Sequence, residues 1–235
     1  HRATLSDYRG SGYDRGHMAP NADMPNKAAQ FDSFSLANMV PQAPKNNQQV
    51  WRELEEATRA LVTKQKLDVF VVTGPVFQGK KLKTIGQGVI VPSAVYKAVY
   101  MPKTGAIGAY YAPNDNSQQV RIVSVCYLEE QLGVNLFPQL TEEQKRNTYK
   151  LPLTATAVKA NSAIQYSHWD AESQCAEEVS SEQLKALQKN FKSGSTQSSS
   201  GSTVKTGTGI DAADQDAIVK QLVDALLQYI LQLLR

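Results

Sequence analysis

Residues 88–113 read GVIVPSAVYKAVYMPKTGAIGAYYAP, and this stretch decides the fold class. Two runs rich in alanine, valine, isoleucine and tyrosine are separated by Thr104-Gly105. β-Branched and aromatic residues favour strands, and a short connection that contains glycine is typical of a hairpin. The stretch therefore predicts two neighbouring strands of an antiparallel sheet.

Strand and helix signals continue on the N-terminal side of this hairpin. Residues 67–77, LDVFVVTGPVF, form a nearly continuous strand run that Gly74-Pro75 interrupts. Residues 46–66, NNQQVWRELEEATRALVTKQK, predict an amphipathic helix. Its expected buried stripe consists of residues at three- and four-residue spacing: Trp51, Leu54, Thr58, Leu61 and Val62.

The C-terminal side of the hairpin predicts one more strand and two helices. Residues 119–133, QVRIVSVCYLEEQLG, begin as a strand and become helical near Leu128. Residues 140–152, LTEEQKRNTYKLP, begin with a Thr-x-x-Glu pattern that resembles a capping box. Because strands and helices occur in mixed order, we expect an α+β fold with a mixed or antiparallel sheet.

Composition limits the class of protein. Hydrophobic residues make up 41% of the chain, enough for a core, and 20% charged residues argue against overall disorder. The formal net charge of +3 permits a polyanionic partner without requiring one. Two cysteines exclude a thiol-rich metal site and a disulfide-dense scaffold. Cys126 and Cys175 form either one disulfide in an exported protein or two unpaired thiols.

The C-terminal tail differs in composition from the rest of the chain. Residues 192–209 are rich in serine, threonine and glycine and predict a flexible linker between a domain at 1–191 and a helix at 210–235. The helix is amphipathic, with a wide apolar face and a narrow polar stripe. It packs either on its own domain or on a second copy in a homo-oligomer, or it docks on a partner or a membrane surface.

Residues 13–23, YDRGHMAPNAD, contain the first candidates for an active site. Cutting a phosphodiester requires a base for water, positive charge beside the phosphate, and stabilisation of the leaving oxygen. The His17 imidazole can be the base near neutral pH, and the Arg15 guanidinium can bind phosphate with two hydrogen bonds. Taken alone, however, these residues favour a surface ion pair beside a loop histidine.

Five sequence elements together resemble the DNA/RNA non-specific endonucleases, also called ββα-metal or His-Me finger nucleases. In order, they are DRGHMAP (14–20), SLANMVPQ (35–42), NQQVWRELE (47–55), VVTGPVF (71–77) and VPSAVYKAVY (91–100). The resemblance extends from about Tyr8 to about Pro138. It implies a ββα-metal finger active site within the α+β fold.

The resemblance implies a role for each residue that matches the family pattern. His17 corresponds to the general base that activates the attacking water. Asn47 corresponds to the protein ligand of a divalent metal, usually Mg²⁺, with Mn²⁺ as a substitute. Glu55 corresponds to the acidic residue that orients metal-bound water. Arg15 and Arg59 correspond to arginines that hold the phosphate and its transition-state charge.

Further residues receive supporting or alternative interpretations. Asn38 matches a motif asparagine that supports the metal finger, and we expect Asp14 to orient its loop rather than to bind metal. Without the resemblance, Glu55 and Arg59 would be interpreted as an i,i+4 salt bridge on one helix.

Other charged residues have no match in the family pattern. Lys80, Lys81 and Lys83 either contact the nucleic-acid backbone, as sequence-independent phosphate contacts do, or form a solvated turn. We interpret His168 as a structural histidine.

The resemblance implies a Mg²⁺-dependent endonuclease that hydrolyses DNA and RNA to 5′-phosphate ends. Two alternatives remain: a catalytically weak nucleic-acid-binding module whose C-terminal helix mediates assembly or delivery, and an enzyme of the same fold that acts on small nucleotides. A periplasmic or secreted location is expected by family analogy, with no leader in this chain. Family members carry strands and another arginine before the DRGH motif, so we expect the N-terminal part of the endonuclease domain at 1–191 to be missing.

Overall fold

The computed structural model describes residues 2–177. The predicted linker at 192–209, the helix at 210–235 and the end of the predicted domain lie outside the described residues. The described α-helices are α1 (Leu5–Tyr8), α2 (Lys27–Ser33), α3 (Arg52–Gln65), α4 (Val125–Leu132) and α5 (Glu142–Arg146). The described strands are β1 (Asp14–His17), β2 (Met39–Gln42), β3 (Phe70–Val76), β4 (Thr84–Ile85), β5 (Val89–Ile90), β6 (Ala94–Met101), β7 (Ala106–Pro113), β8 (Arg121–Val123), β9 (Asn147–Tyr149) and β10 (Tyr166–Trp169).

The largest sheet in the described chain has four antiparallel strands in the order β3-β6-β7-β8. The predicted hairpin is confirmed, since β6 and β7 pair along their whole lengths. Its turn ends at Gly105, whose φ of 73° lies in the left-handed region that glycine adopts without strain. Three further two-stranded sheets pair β1 with β2, β4 with β5 and β9 with β10. The fold is therefore α+β, with antiparallel pairing throughout the described strands.

Strand β3 corrects the prediction that Gly74-Pro75 interrupts it. The strand continues through both residues and pairs with β6 up to Val76. Proline is tolerated because β3 is an edge strand, where one side of the backbone needs no hydrogen bond within the sheet. Gly74 serves packing, because a Cβ there would lie 2.6 Å from the hydroxyl oxygen of Tyr96.

Helices α3 and α4 pack on opposite faces of this sheet. Alternate residues of β6, including Val95 and Val99, share one core cluster with α3, whereas Tyr96 and Ala98 share another with α4. This division follows from the two-residue side-chain period of a strand. A residue on β6 with the parity of Val95 therefore faces α3.

Helix α3 confirms most of the predicted stripe. Trp51, Leu54, Thr58 and Leu61 are buried, but Val62 is 46% exposed. Val62 lies about 100° around the helix from Leu61, which turns it away from the sheet. Before α3, Asn46–Trp51 form a π-helical segment rather than a regular first turn.

Helices α4 and α5 begin at side-chain caps. Helix α4 starts at Val125 rather than near Leu128, because the Ser124 hydroxyl accepts a hydrogen bond from the Tyr127 amide. The capping box before α5 is present, but the reciprocal residue is Gln144, so the pattern is Thr-x-x-Gln.

Two connections join α4 to later parts of the described chain. A disulfide joins Cys126 to Cys175, which settles the alternative between a bridge and free thiols. Lys145 of α5 forms a buried ion pair with Glu129 of α4, with 3.1 Å between Nζ and Oε1. In the range that the structure describes, no helix is both long enough and apolar enough to cross a bilayer.

Candidate active site

The β1–β2 hairpin carries the DRGH motif. Its register places Asp14 opposite Gln42 and His17 opposite Met39. Glycine is required between Arg15 and His17, because a Cβ on Gly16 would lie 2.6 Å from the Cβ of the buried Gln42. Arg15 and His17 are two residues apart in a strand, so their side chains project on the same side.

The His17 imidazole is half-buried at the end of β1 and packs edge-to-face against Phe34, with 5.0 Å between the ring centroids. Burial, and then the positive charge of Arg15, lower the pKa of His17 below its ordinary value. Both effects favour the neutral imidazole, which is the form that accepts a proton. Its Nε2 atom is buried and has no hydrogen-bond partner among the described residues.

Asn38 fixes the chain immediately after His17. Its side-chain oxygen accepts a hydrogen bond from the Ala19 amide at 2.9 Å, and its Nδ2 donates to the Ala19 carbonyl at 2.9 Å. The same Nδ2 donates to the Ser33 carbonyl at 3.0 Å. Asn38 therefore ties the loop after His17 to the end of α2, a supporting role rather than a reactive one.

Asp14 connects the DRGH motif to Asn47. Asn47 Nδ2 donates to Asp14 Oδ2 at 2.9 Å, and Gln48 Nε2 donates to the same oxygen at 2.8 Å. This bond fixes the orientation of the Asn47 amide, with its nitrogen toward Asp14 and its oxygen available as an acceptor. The carboxylate thus orients a side chain of the helical segment that precedes α3, and not only its own loop.

Arg59 has a partner that the sequence interpretation missed. Its Nε lies 2.6 Å from Oδ1 of Asp23, at the end of the quoted stretch 13–23. The predicted alternative of a Glu55–Arg59 salt bridge has no counterpart among the ion pairs of residues 2–177. Asp23 lies 36 residues before Arg59, so no helical spacing could have indicated this pairing.

Glu55 is largely buried on α3. Burial raises its pKa from 4.5 to about 7, against the opposing effects of Lys97 and Arg59, while Asp23 and Glu56 add to the rise. Near neutral pH this carboxyl is therefore able to hold or release a proton.

Lys97 is a second residue that the sequence interpretation missed. It lies in the middle of β6 and is 2% exposed. Burial lowers its pKa, whereas Glu55 and Asp23 raise it. The motif VPSAVYKAVY contains this lysine, but an alternating strand pattern does not show which charged side chain is covered by a helix.

The remaining predicted residues lie elsewhere. Lys80, Lys81 and Lys83 are exposed in the connection between β3 and β4. His168 is exposed on β10, with its Nδ1 3.1 Å from the Ser167 hydroxyl. The roles predicted for these four residues stay predictions.

The donor atoms suit a hard cation that keeps most of its water. No group of three or more His, Cys, Asp or Glu side chains in the described part of the chain can hold a metal ion. The oriented amide oxygen of Asn47 offers one oxygen donor, and Mg²⁺ commonly binds proteins through one or two oxygen ligands. The residues present therefore fit a largely hydrated divalent cation.

Comparison with known proteins relates this arrangement to a family. The family model described as DNA/RNA non-specific endonuclease matches residues 1–143. Human mitochondrial endonuclease G is 40% identical over 128 residues, which cover 48% of this chain and 43% of that protein. Nuclease C1 of Cunninghamella echinulata is 42% identical over 127 residues, which cover 48% of this chain and 50% of that protein. A nuclease of Nostoc sp. is 36% identical over 157 residues, which cover 60% of this chain and 56% of that protein.

A solved structure gives the same assignment. The structure of an EndoG/EndoGI complex matches with a TM-score of 0.52 and 28% identity, over 60% of this chain and 66% of that chain. The chain spans about half the length of the curated relatives it matches. The family model alone covers more than half of the 235 residues. The chain therefore belongs to the DNA/RNA non-specific endonuclease family.

Proposed function

We propose that this protein is a metal-dependent endonuclease that hydrolyses phosphodiester bonds of both DNA and RNA and leaves 5′-phosphate ends. The observation that carries the proposal is the hydrogen bond between Asp14 and Asn47, 33 residues apart. It joins the hairpin that bears Arg15 and His17 to the helix that bears Glu55 and Arg59. A candidate base, a candidate metal ligand and phosphate-binding groups thereby belong to one site.

Each of these residues has a separate role in the proposed reaction. The neutral His17 imidazole takes a proton from the attacking water. The Arg15 and Arg59 guanidinium groups bind the phosphate and the charge that develops on it. Asn47 Oδ1 would hold Mg²⁺, or Mn²⁺ in its place, which supplies charge stabilisation for the leaving 3′ oxygen. Glu55 is placed on the same helix to accept a hydrogen bond from water in the site.

Low sequence specificity follows from the chemistry of these groups. Every group in this division of roles addresses phosphate, water or metal, and none reads the edge of a base. Phosphate contacts position a nucleic acid without conveying its sequence. The same set of contacts is available on DNA and on RNA.

An oxidising compartment is part of the proposal. The Cys126–Cys175 disulfide supports a periplasmic or secreted protein, because disulfides persist mainly in such compartments. Fractionation of producing cells, followed by immunodetection, tests this; recovery of the reduced protein in the cytoplasm alone would contradict it.

A digestion assay tests the activity. Supercoiled plasmid and single-stranded RNA are incubated with the wild type and with His17→Ala, in Mg²⁺ and in EDTA. We expect cutting by the wild type in Mg²⁺, and a loss of about a thousandfold or more in the variant, as for removal of a catalytic base. His168→Ala is the matched control, because this exposed histidine lies on β10.

The outcomes separate the candidate functions. Equal cutting by the wild type and His17→Ala would refute the mechanism. A gel shift of nucleic acid without turnover would instead indicate a binding module. Enzymatic ligation of the fragments without prior phosphorylation tests the 5′-phosphate ends.

A further inference from the structure

Lys97 and Lys145 are two deeply buried lysines in the described part of the chain, each 2% exposed. Lys145 is fully partnered, since its ammonium contacts Glu129 and donates to Asn135 Oδ1 at 2.8 Å. Lys97 donates to the neutral Thr73 hydroxyl at 3.1 Å and lies 5.4 Å from the ring centroid of Trp51. A buried ammonium requires compensation by an opposite charge, so the structure raises the question of which carboxylate compensates Lys97.

The fold places Lys97 on the face of the sheet that α3 covers. Lys97 has the same parity on β6 as Val95 and Val99, whose side chains share a core cluster with α3. Trp51 and Glu55 are four residues apart in the helical segment, so their side chains are neighbours. The Lys97 ammonium beside the Trp51 ring therefore lies near the turn of the helix that carries Glu55, and the two groups form no direct ion pair among those of residues 2–177.

The electrostatics of the two residues agree with this geometry. Lys97 lowers the pKa of Glu55 more than any other charged group does, and Glu55 is the group that most raises the pKa of Lys97. The other charged groups that act on Glu55 are Asp23, Glu56 and Arg59. Arg59 is already paired with Asp23, which leaves Lys97 as the main cation for Glu55.

We propose that Lys97 is a positioning residue of the active site, whose ammonium, held by Thr73 and Trp51, stabilises the negative charge of the Glu55 side chain on α3 through the low-dielectric interior. The proposal rests on the proposed function. Lys97 contacts neither substrate nor water in this role; it acts through Glu55. Its contribution to catalysis is to favour the charged form of Glu55, which accepts a hydrogen bond from water.

A purely structural role for Lys97 makes different predictions. A lysine that only fills the core beside Trp51 can be replaced by methionine, which has a similar unbranched shape. The stability would change, but the pH dependence of turnover would not. The pH profile is therefore the decisive measurement.

The experiment compares Lys97→Met with the wild type in plasmid cleavage. We expect kcat to fall about ten- to hundredfold, as for residues that orient groups in metal-dependent sites, with KM changed less than about threefold. Loss of the positive charge raises the pKa of Glu55, so the acid limb of the kcat profile moves up by about one pH unit. A kcat within about twofold of the wild type with an unmoved profile would overturn the proposal.

The other buried lysine provides a matched control. The double variant Glu129→Gln/Lys145→Met removes a buried ion pair from the α4–α5 side of the sheet and replaces it with neutral groups. We expect its kcat and pH profile to match the wild type within about twofold. If this variant shifted the profile as Lys97→Met does, general loosening of the core would explain both, and the proposal would fail.

An unfolding cycle tests the Lys97–Glu55 interaction without relying on activity. The wild type, Glu55→Gln, Lys97→Met and the double variant are unfolded in urea at pH 8 in EDTA. If the two residues interact, the change in the unfolding equilibrium constant of the double variant should differ by about tenfold from the product of the two single changes. Multiplicative effects would show that the two residues do not interact and would overturn the proposal.

The cycle also covers the failure of a variant to fold. If Lys97→Met does not fold but the double variant does, the uncompensated charge of Glu55 was the cause and the interaction is supported. If both fail to fold, Lys97 serves the core alone and the proposal is overturned. If the wild type proves inactive, the proposed function and with it the catalytic role fail, while the cycle still decides whether Lys97 and Glu55 interact.

Discussion

Removal of the Asp14 carboxylate tests how the hairpin organises the metal ligand. In Asp14→Ala, Asn47 Nδ2 loses the acceptor that lies 2.9 Å away. The Asn47 amide is then free to rotate and to turn its nitrogen toward the cation. We therefore expect weaker metal binding, although no atom of the proposed ligand has been removed.

The magnitude follows from the contact. A hydrogen bond to a charged group contributes about 1.5–3 kcal/mol. Asp14 and Asn47 are both partly exposed, so the lower end, about 1.5 kcal/mol, applies. That energy corresponds to about a tenfold increase in the dissociation constant for Mg²⁺ or Mn²⁺, within the range found for residues that support metal ligands.

Calorimetric titration with Mn²⁺ measures this directly, in a His17→Ala background that removes turnover. Gln48→Ala is the matched control, because it deletes the other hydrogen bond to Asp14, at 2.8 Å, and leaves the Asn47 bond in place. Asp14→Asn retains an acceptor oxygen and should lie between the two. If Asp14→Ala bound the metal as tightly as its parent, the orienting role of Asp14 would be refuted.

Three further predictions concern stability. Replacing both cysteines by serine should lower the free energy of unfolding by about 4 kcal/mol, given the 49-residue separation of Cys126 and Cys175; urea unfolding with no loss would contradict a formed bridge. Lys145→Met should cost about 3–5 kcal/mol because it leaves the Glu129 carboxylate buried without its partner, and Glu129→Gln/Lys145→Met should recover most of this; an equal loss in both would speak against the ion pair. For Glu55, the folded-state pKa of about 7 lies above the ordinary 4.5, so its contribution is fully present below pH 4.5 and is lost as the pH rises through 7. Glu55→Gln should thus be the more stable protein at pH 8 in EDTA, by up to about 3 kcal/mol, with the advantage vanishing at pH 4; an advantage that does not depend on pH would contradict the shift.

Local sequence signals predicted much of the fold. The β6–β7 hairpin follows from two strand-forming runs around Thr104-Gly105, and its full-length pairing is observed. The buried stripe of α3 follows from helical spacing, with Val62 as the exception. Both signals work because the side-chain periods of strands and helices are expressed within a few consecutive residues.

Two predictions from local signals are wrong, because the outcome depends on the neighbouring strands and helices. Gly74-Pro75 normally ends a strand, yet β3 continues because it lies at the edge of its sheet. Helix α4 begins at Val125, before the predicted start near Leu128, because Ser124 caps it. The local pattern does not show whether a strand lies at the edge of its sheet. It also does not show where a strand ends and the following helix begins.

By itself, the sequence determined the family, the β6–β7 hairpin and the identity of His17 and Asn47 as candidate site residues. These depend on residue types at short, ordered spacing. Only the tertiary structure decided that Asp14 orients Asn47, that Asp23 pairs with Arg59 and that Lys97 is buried with its ammonium on Thr73. The physical reason is that a charge or a polar group chooses its partner by distance and desolvation in space. Residues 24 to 36 positions apart along this chain become neighbours only when the four-stranded sheet, the β1–β2 pair and α3 have packed.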